Sequence, residues 1–137
     1  MDSFGVFKVS ASALAAQRER MNVIVSNMAN AHSTRGGEGG PYRRRDVVFS
    51  AEALGTNANG LQGVKVSDIV TDTTPPKMIY DPGHPDADKN GFVAMPNVNV
   101  IEEMVNMMMA SRAYEASVSA FNMSKSNYMK TLELLKA

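Results

Sequence analysis

Residues 100–135 read VIEEMVNMMMASRAYEASVSAFNMSKSNYMKTLELL, and the spacing of the apolar side chains in this stretch decides the fold. Steps of alternately four and three residues from Val100 land on Met104, Met107, Ser111, Tyr114, Val118, Phe121, Lys125, Tyr128, Leu132 and Leu135. All are apolar except Ser111 and Lys125. A repeat of about 3.5 residues held this long predicts one amphipathic helix with a narrow coiled-coil seam. At about 1.5 Å per residue it reaches on the order of 50 Å, more than a compact domain of this size needs. No proline or glycine interrupts it between Val98 and Ala137, and Asn99 with Glu102 forms a candidate capping box at its start. Such a helix is built to pair with another surface.

The other end of the chain carries a matching seam. Phe4, Phe7, Ala11, Leu14, Arg18, Met21, Val25 and Met28 follow the same spacing, which predicts a helix over residues 3–30. Ser3 is its candidate N-cap, and Asn30 to Thr34 with Gly36-Gly37 supply the stop. The two helices are expected to form an antiparallel hairpin, yet one stripe apiece makes a thin core. Ile101, Val105 and Met108 add a second apolar row that is expected to widen the face of the last helix. Extra apolar width on a two-helix unit points to partner helices from other subunits. The candidate assembly interface is therefore Phe4, Phe7, Leu14, Met21, Val25 and Met28 on one helix. On the other it is Met104, Met107, Tyr114, Val118, Phe121, Tyr128, Leu132 and Leu135. Met104, Met107, Met108, Met109, Met123 and Met129 suit a surface that meets several non-identical neighbours, a role compatible with ordinary core filling.

All six prolines and nine of the ten glycines lie between Gly36 and Pro96, so the middle breaks from helix. Short strands are expected at Val47 to Phe49, at Val64 to Val70, at Met78 to Tyr80 and at Phe92 to Met95. Residues 50–60 are expected to form a loop, and Asn90-Gly91 a hairpin turn. The plan is α+β: an N-terminal helix over residues 1–34, a small β-rich lobe over 35–98 and a C-terminal helix over 99–137. The two helices together form the assembly domain. The Arg43-Arg44-Arg45 triplet reads as a solvated strand edge or a salt-bridging contact to a neighbour, because no aromatics interleave it.

Fourteen basic residues balance fourteen acidic ones, so no net field draws the chain to nucleic acid or an anionic membrane. Cysteine is absent, which excludes disulfides and thiolate metal sites. The first residues lack the basic and apolar regions of a cleavable secretory signal, and no apolar run is long enough to insert into a bilayer. Asp86-Ala87-Asp88-Lys89-Asn90-Gly91 matches the opening of a calcium-binding EF-hand loop. The twelfth position is Asn97 rather than Glu, however, and Pro85 and Pro96 argue against flanking helices. His32 and His84 sit in turn-like segments with no motif nearby, and Asp81, Asp86 and Asp88 could pair as carboxylates but with nothing to suggest a pocket, so neither an enzyme nor a cofactor is expected.

Ser12-Ala13-Leu14-Ala15-Ala16-Gln17-Arg18-Glu19-Arg20-Met21-Asn22-Val23-Ile24-Val25-Ser26-Asn27-Met28-Ala29-Asn30 resembles the N-terminal signature of bacterial flagellar axial proteins (rod, hook and hook-associated proteins). Several further segments are similar to the proximal-rod members of that superfamily. They are Pro41-Tyr42-Arg43 with Val47-Val48-Phe49, Tyr80 through Asp88, Gly91-Phe92-Val93, Pro96-Asn97-Val98-Asn99, Glu103-Met104-Val105 and Ala110 through Ala116. The resemblance covers nearly the whole chain. It implies a rod subunit of the flagellar basal body, crossing the periplasm and exported by the flagellar type III apparatus without a cleaved signal. It implies an inner tubular domain made of both terminal helices. The partners it implies are its own copies, other rod proteins and the protein joining rod to MS ring. The competing reading, from the residues alone, is a helical adaptor that docks one amphipathic helix into a partner's groove. Matched seams at both ends favour an assembly subunit. They also lead to the expectation that the helices order only on docking.

Overall fold

The structure, a computed structural model, describes residues 4–37, 39–54 and 60–136. In chain order the elements are α1 (Gly5–Ala29), β1 (Arg45–Ala53), β2 (Gln62–Thr71), β3 (Lys77–Tyr80), β4 (Phe92–Met95) and α2 (Val100–Lys136). The architecture is α+β, with two long helices flanking two small antiparallel sheets.

Helix α1 runs through Ala, Leu, Gln, Arg, Glu and Met, all strong helix formers, and ends where Asn30 folds back on it. The Asn30 side-chain amide donates to the Ser26 carbonyl at 2.8 Å. The expected cap Ser3 lies outside the described residues. Helix α2 begins on Asn99, whose Oδ1 accepts from the Ile101 amide at 3.2 Å. Only that half of the expected capping box forms, and Glu102 is exposed. The helices are antiparallel: the Phe7 ring meets Phe121 at 5.2 Å and Tyr128 at 6.3 Å near one end, and Asn27 meets Glu103 at the other.

Strand β1 pairs with β2, with a bulge after Val48 where Ser67 has no partner across the ladder. The Ser67 hydroxyl donates to the Val48 carbonyl at 3.0 Å. Residues 50–53, expected in a loop, instead extend β1. Ser50-Ala51-Glu52-Ala53 has low strand propensity, and pairing with Gln62 to Lys65 overrides it. Residues 55–59 lie outside the described residues. The hairpin lies against α1 at Gly63, where an added Cβ would stand 2.8 Å from Ser12 Oγ, and the neighbouring Val64 amide donates to that oxygen at 3.1 Å. Strands β3 and β4 pair from Lys77↔Met95 to Tyr80↔Phe92. Asn90-Gly91 is not their two-residue turn; residues 81–91 form a longer loop, closed by the Asp81 amide on the Gly91 carbonyl at 2.9 Å, with Gly91 at φ +81°.

Two-stranded sheets hold no core of their own, and the elements meet at a common buried point instead. The buried apolar residues are small or medium: Ala16, Val23, Ile24, Ala31, Val93, Val98 and Ala110. Among them sits the Glu103 carboxylate, 0% exposed, in the first turns of α2. Its Oε1 accepts from Arg44 Nε at 2.7 Å and its Oε2 from the Asn27 side-chain amide at 3.0 Å. Asn27 of α1 also pairs with both backbone groups of Arg45, accepting its N–H at 3.0 Å and donating to its carbonyl at 2.8 Å. Tyr42 Oη donates to Asn27 Oδ1 at 2.9 Å. Asn97 accepts the Arg44 amide at 2.8 Å and donates to the Thr74 carbonyl at 3.1 Å. Burial works against the charge on Arg44; its hydrogen bond and proximity to Glu103, then to Asp46, outweigh that and hold the guanidinium above its ordinary pKa.

Removing one partner of a buried ion pair leaves an uncompensated charge. Glu103→Ala is expected to cost about 3–5 kcal/mol in urea unfolding of the purified subunit, whereas Arg44→Met with Glu103→Leu retains wild-type stability. A single variant that unfolds at the wild-type midpoint would show that the pair does not organise the fold.

Candidate assembly surface

The structure divides the candidate interface residues into two groups. Phe7, Leu14, Met21 and Met28 on α1, and Met107, Tyr114, Val118, Phe121 and Tyr128 on α2, are half-buried where the helices cover each other. Phe4, Val25, Met104, Leu132 and Leu135 are exposed. The buried residues of α2 are Glu103 and Ala110, with Met107, Tyr114, Phe121 and Tyr128 half-buried on the same side, so the intramolecular contact follows a row shifted from Met104 toward Glu103 and Ala110. Ser117 and Ser124 on the same side satisfy their hydroxyls on the carbonyls of Ala113 and Ala120, each at 2.9 Å.

Ile101, Val105 and Met108 do not widen that contact. At about 100° per residue they fall on the side of α2 away from it. Ile101 is 73% exposed, and Val105, Met108 and Met109 are each more than half exposed. Helix α2 is thus apolar on two opposite sides over its first three turns, and the chain itself covers one of them. Scattered exposed apolar residues are ordinary, but a contiguous stripe marks an interaction surface. A second surface lies at the far end. With 37 residues against 25, α2 is longer than α1 by about 18 Å. Phe4, the first described residue, meets Tyr128 at 6.3 Å, and the helix runs on through Leu132, Leu134 and Leu135, the last 78% exposed.

Other candidate groups serve the chain's own structure. Asp86 receives Arg35 Nε at 2.8 Å on Oδ1 and Thr34 Oγ1 at 2.8 Å on Oδ2. Asp88 accepts the amides of Asn90 and Phe92 at 2.8 and 2.9 Å. These carboxylates of the calcium-like segment thus fasten the 81–91 loop and tie it to the segment that follows α1. His84 Nδ1 accepts the Asp86 amide at 3.1 Å in the same loop. Of the Arg triplet, Arg44 is no solvated edge: it turns inward to Glu103, while Arg43 and Arg45 face out. Sequence reasoning missed Asn27 and Glu103. A Glu in the first turn of a helix reads as an exposed charge, and only its place on the same helical row as Met107, Ala110 and Tyr114 signals otherwise. No helix among the described residues is long and apolar enough to cross a membrane.

Comparison with known proteins fits this two-helix plan. A family model described as "Flagella basal body rod protein" matches residues 7–36, and one described as "Flagellar basal body rod FlgEFG protein C-terminal" matches residues 89–134. The flagellar basal-body rod protein FlgC of Salmonella typhimurium is 48% identical over 134 residues, covering 98% of each chain. That of Escherichia coli is also 48% identical with the same coverage, and that of Borreliella burgdorferi is 42% identical over 99% of each chain. The chain belongs to the FlgC family of flagellar basal-body rod proteins. It is a structural subunit of the rod, and its place is the flagellar basal body. The two matched segments contain most of α1 and most of α2, the elements that carry the exposed surfaces described above.

The loop contact makes a pH-dependent prediction. Side-chain hydrogen bonds from Arg35 and then Thr34 hold the Asp86 carboxyl below its ordinary range. A depressed folded-state pKa stabilises at pH above the unfolded value of about 3.9, and the effect is lost as pH falls through the folded value. Asp86→Asn is therefore expected to unfold at lower temperature than wild type at neutral pH and to converge with it in acid. Because Arg35 faces solvent, salt should narrow the neutral-pH gap. Equal melting temperatures at neutral pH and low salt would rule the contact out as a stabilising one.

Proposed function

We propose that this chain builds the proximal part of the rod by packing its terminal helices against those of neighbouring subunits, and that the resulting shaft transmits torque. The observation that carries this reading is the apolar stripe Ile101, Met104, Val105, Met108 and Met109 on the side of α2 that α1 leaves uncovered. A helix covered on one side by its own chain and apolar on the other is half of a larger bundle. A head-to-tail contact that does not close into a ring propagates as a helical filament. Residues 1–34 and 99–137 would form the inner domain of that filament, and residues 35–98 an outer lobe. The overhanging Leu132, Leu134 and Leu135 would reach the subunit next along the axis. The candidate interface residues divide accordingly, the half-buried ones joining the helices within a subunit and the exposed ones joining subunits.

The neighbours under this reading are further copies, other rod proteins and the protein that joins rod to MS ring. Delivery is through the flagellar type III export apparatus without a cleaved signal. The helix pair buries few large side chains between its members, so the helices should gain much of their order on docking, when the stripe is also covered. An incompletely ordered subunit also suits passage through a narrow export channel.

Met108→Asp and Leu135→Asp place a charge on the proposed contacts without touching the intramolecular seam. In cells lacking the wild-type gene, both variants are expected to be exported at wild-type levels and to leave basal bodies with rings but no completed rod. Complete rods and normal swimming with Met108→Asp would refute assembly through this face and leave the single-helix adaptor in front. A second readout is amide exchange on a verified monomer: residues 129–136 should exchange before residues 103–121. Equal, strong protection of both would contradict ordering on docking.

A further inference from the structure

The chain has no cysteine, so its methionine thioethers are its only sulfur and the first side chains that a two-electron oxidant attacks. The fold sorts them into two groups. Met21, Met28, Met95 and Met107 are half-buried, whereas Met78, Met104, Met108, Met109, Met123 and Met129 are exposed. Three of the exposed ones, Met104, Met108 and Met109, stand together on the side of α2 that α1 leaves open, with Ile101 and Val105 beside them. Met107, between them in sequence, lies on the side turned to α1. One short stretch of helix therefore holds three accessible thioethers and one sheltered one. Neither the hydrogen bonds of the Glu103 cluster nor the ring contacts at the far end involve any of the three. A change confined to them leaves the fold in place.

We propose that Met104, Met108 and Met109 form an oxidation site that decides whether a free subunit can dock. This inference rests on the assembly reading above. A peroxide transfers one oxygen atom to the thioether: the S–O bond forms, the O–O bond breaks, the sulfur gives up two electrons and the peroxide leaves as water. The sulfoxide is polar and carries a strong hydrogen-bond acceptor, which water satisfies in the free subunit. Docking covers the stripe, where Ile101 and Val105 have no side-chain donor to offer and the amides of the helix are bonded along its own axis. An acceptor buried without a donor opposes docking by about tenfold or more in affinity. Oxidised copies are thus held out of the filament while still folded, and reduction of the sulfoxide readmits them. Once docked, the same thioethers are shielded, so the site responds to oxidant only before assembly.

The test has two parts, both read by peptide mass spectrometry. Purified subunit is first treated with a limiting dose of hydrogen peroxide. Met104, Met108 and Met109 are expected to gain oxygen severalfold faster than Met107, with the melting temperature of the oxidised subunit unchanged. Equal rates at all four, or a subunit that unfolds when the stripe is oxidised, overturns the proposal. Next, cells lacking methionine sulfoxide reductase and their own copy of the gene receive an inducible copy. It is switched on in the presence of peroxide, so that every rod forms under oxidant. Sulfoxide at Met104, Met108 and Met109 should be about tenfold or more rarer in isolated basal bodies than in the unassembled pool. Sulfoxide at Met78, exposed on the β lobe, should be equally frequent in both. Equal sulfoxide at the stripe in rods and pool overturns the proposal. So does matching depletion at Met78, which would place the block on folding or export. Either result leaves the assembly reading standing, because that reading falls only if Met108→Asp builds normal rods.

Discussion

Helix α1, the start of β1 and helix α2 meet at the buried carboxylate of Glu103. Its two oxygens take one donor from the start of β1 and one from α1. The same Asn27 that reaches it clamps the backbone of Arg45, and the same Arg44 that reaches it is clamped by Asn97 just before α2. A charge taken out of water needs its partners in place. The carboxylate therefore sets which turn of α1 lies beside which turn of α2, and where the hairpin leaves the helices. An apolar side chain at position 103 would pack against several neighbouring turns with similar energy. The polar cluster separates those registers.

The need for such a device follows from how little else specifies the register. The buried apolar residues are mostly Ala and Val. The larger groups, Phe7, Phe121 and Tyr128, are gathered toward the other end of the pair and remain half-buried. The helix pair is thus pinned by a polar cluster at one end and an aromatic cluster at the other, with half-buried Leu14, Met21, Tyr114 and Val118 among small residues and serines between. Small residues allow the helices to lie close together, and they leave the larger apolar groups of α2, its methionines above all, on the side that faces away.

What was legible in the sequence follows the same division. The 3.5-residue repeat reports helix existence and length well, because periodicity depends only on the backbone. The existence of β1 through β4 is also visible, since each carries β-branched or aromatic residues between turn signals. The extension of β1 through Ser50-Ala51-Glu52-Ala53 is not, because those residues become strand by pairing with β2 rather than by preference. Asn90-Gly91 misleads because it is read locally as a hairpin turn. Asp88 accepts two amides in this loop and commits the chain to a longer excursion first. The phase of the α2 seam is the instructive case. Counting apolar residues favours the row through Met104 and excludes a row containing Glu103, Ser117 and Ser124. Yet the latter row faces α1, because each of its polar groups finds a partner there or on its own helix. The row that counting selects is partly the one left for another molecule.

That misassignment carries information about function. In a protein that folds alone, the most apolar face of a helix is the buried one, since burial supplies most of the stability. Over its first three turns α2 gives its more polar side to its own chain and keeps Ile101, Met104, Val105, Met108 and Met109 outward. The free subunit therefore leaves much of its apolar burial unrealised, which is unfavourable for a monomer and suited to a member of a filament. Methionine at three of those five positions fits a face that meets non-identical neighbours, because an unbranched thioether adapts its shape to each at small cost. Adaptable apolar contact alone would leave the docking angle loosely set, and a shaft that carries torque needs that angle held. Directional polar contacts between fixed groups can hold it. Within the subunit the Glu103 carboxylate, held by Arg44 and Asn27, provides such contacts.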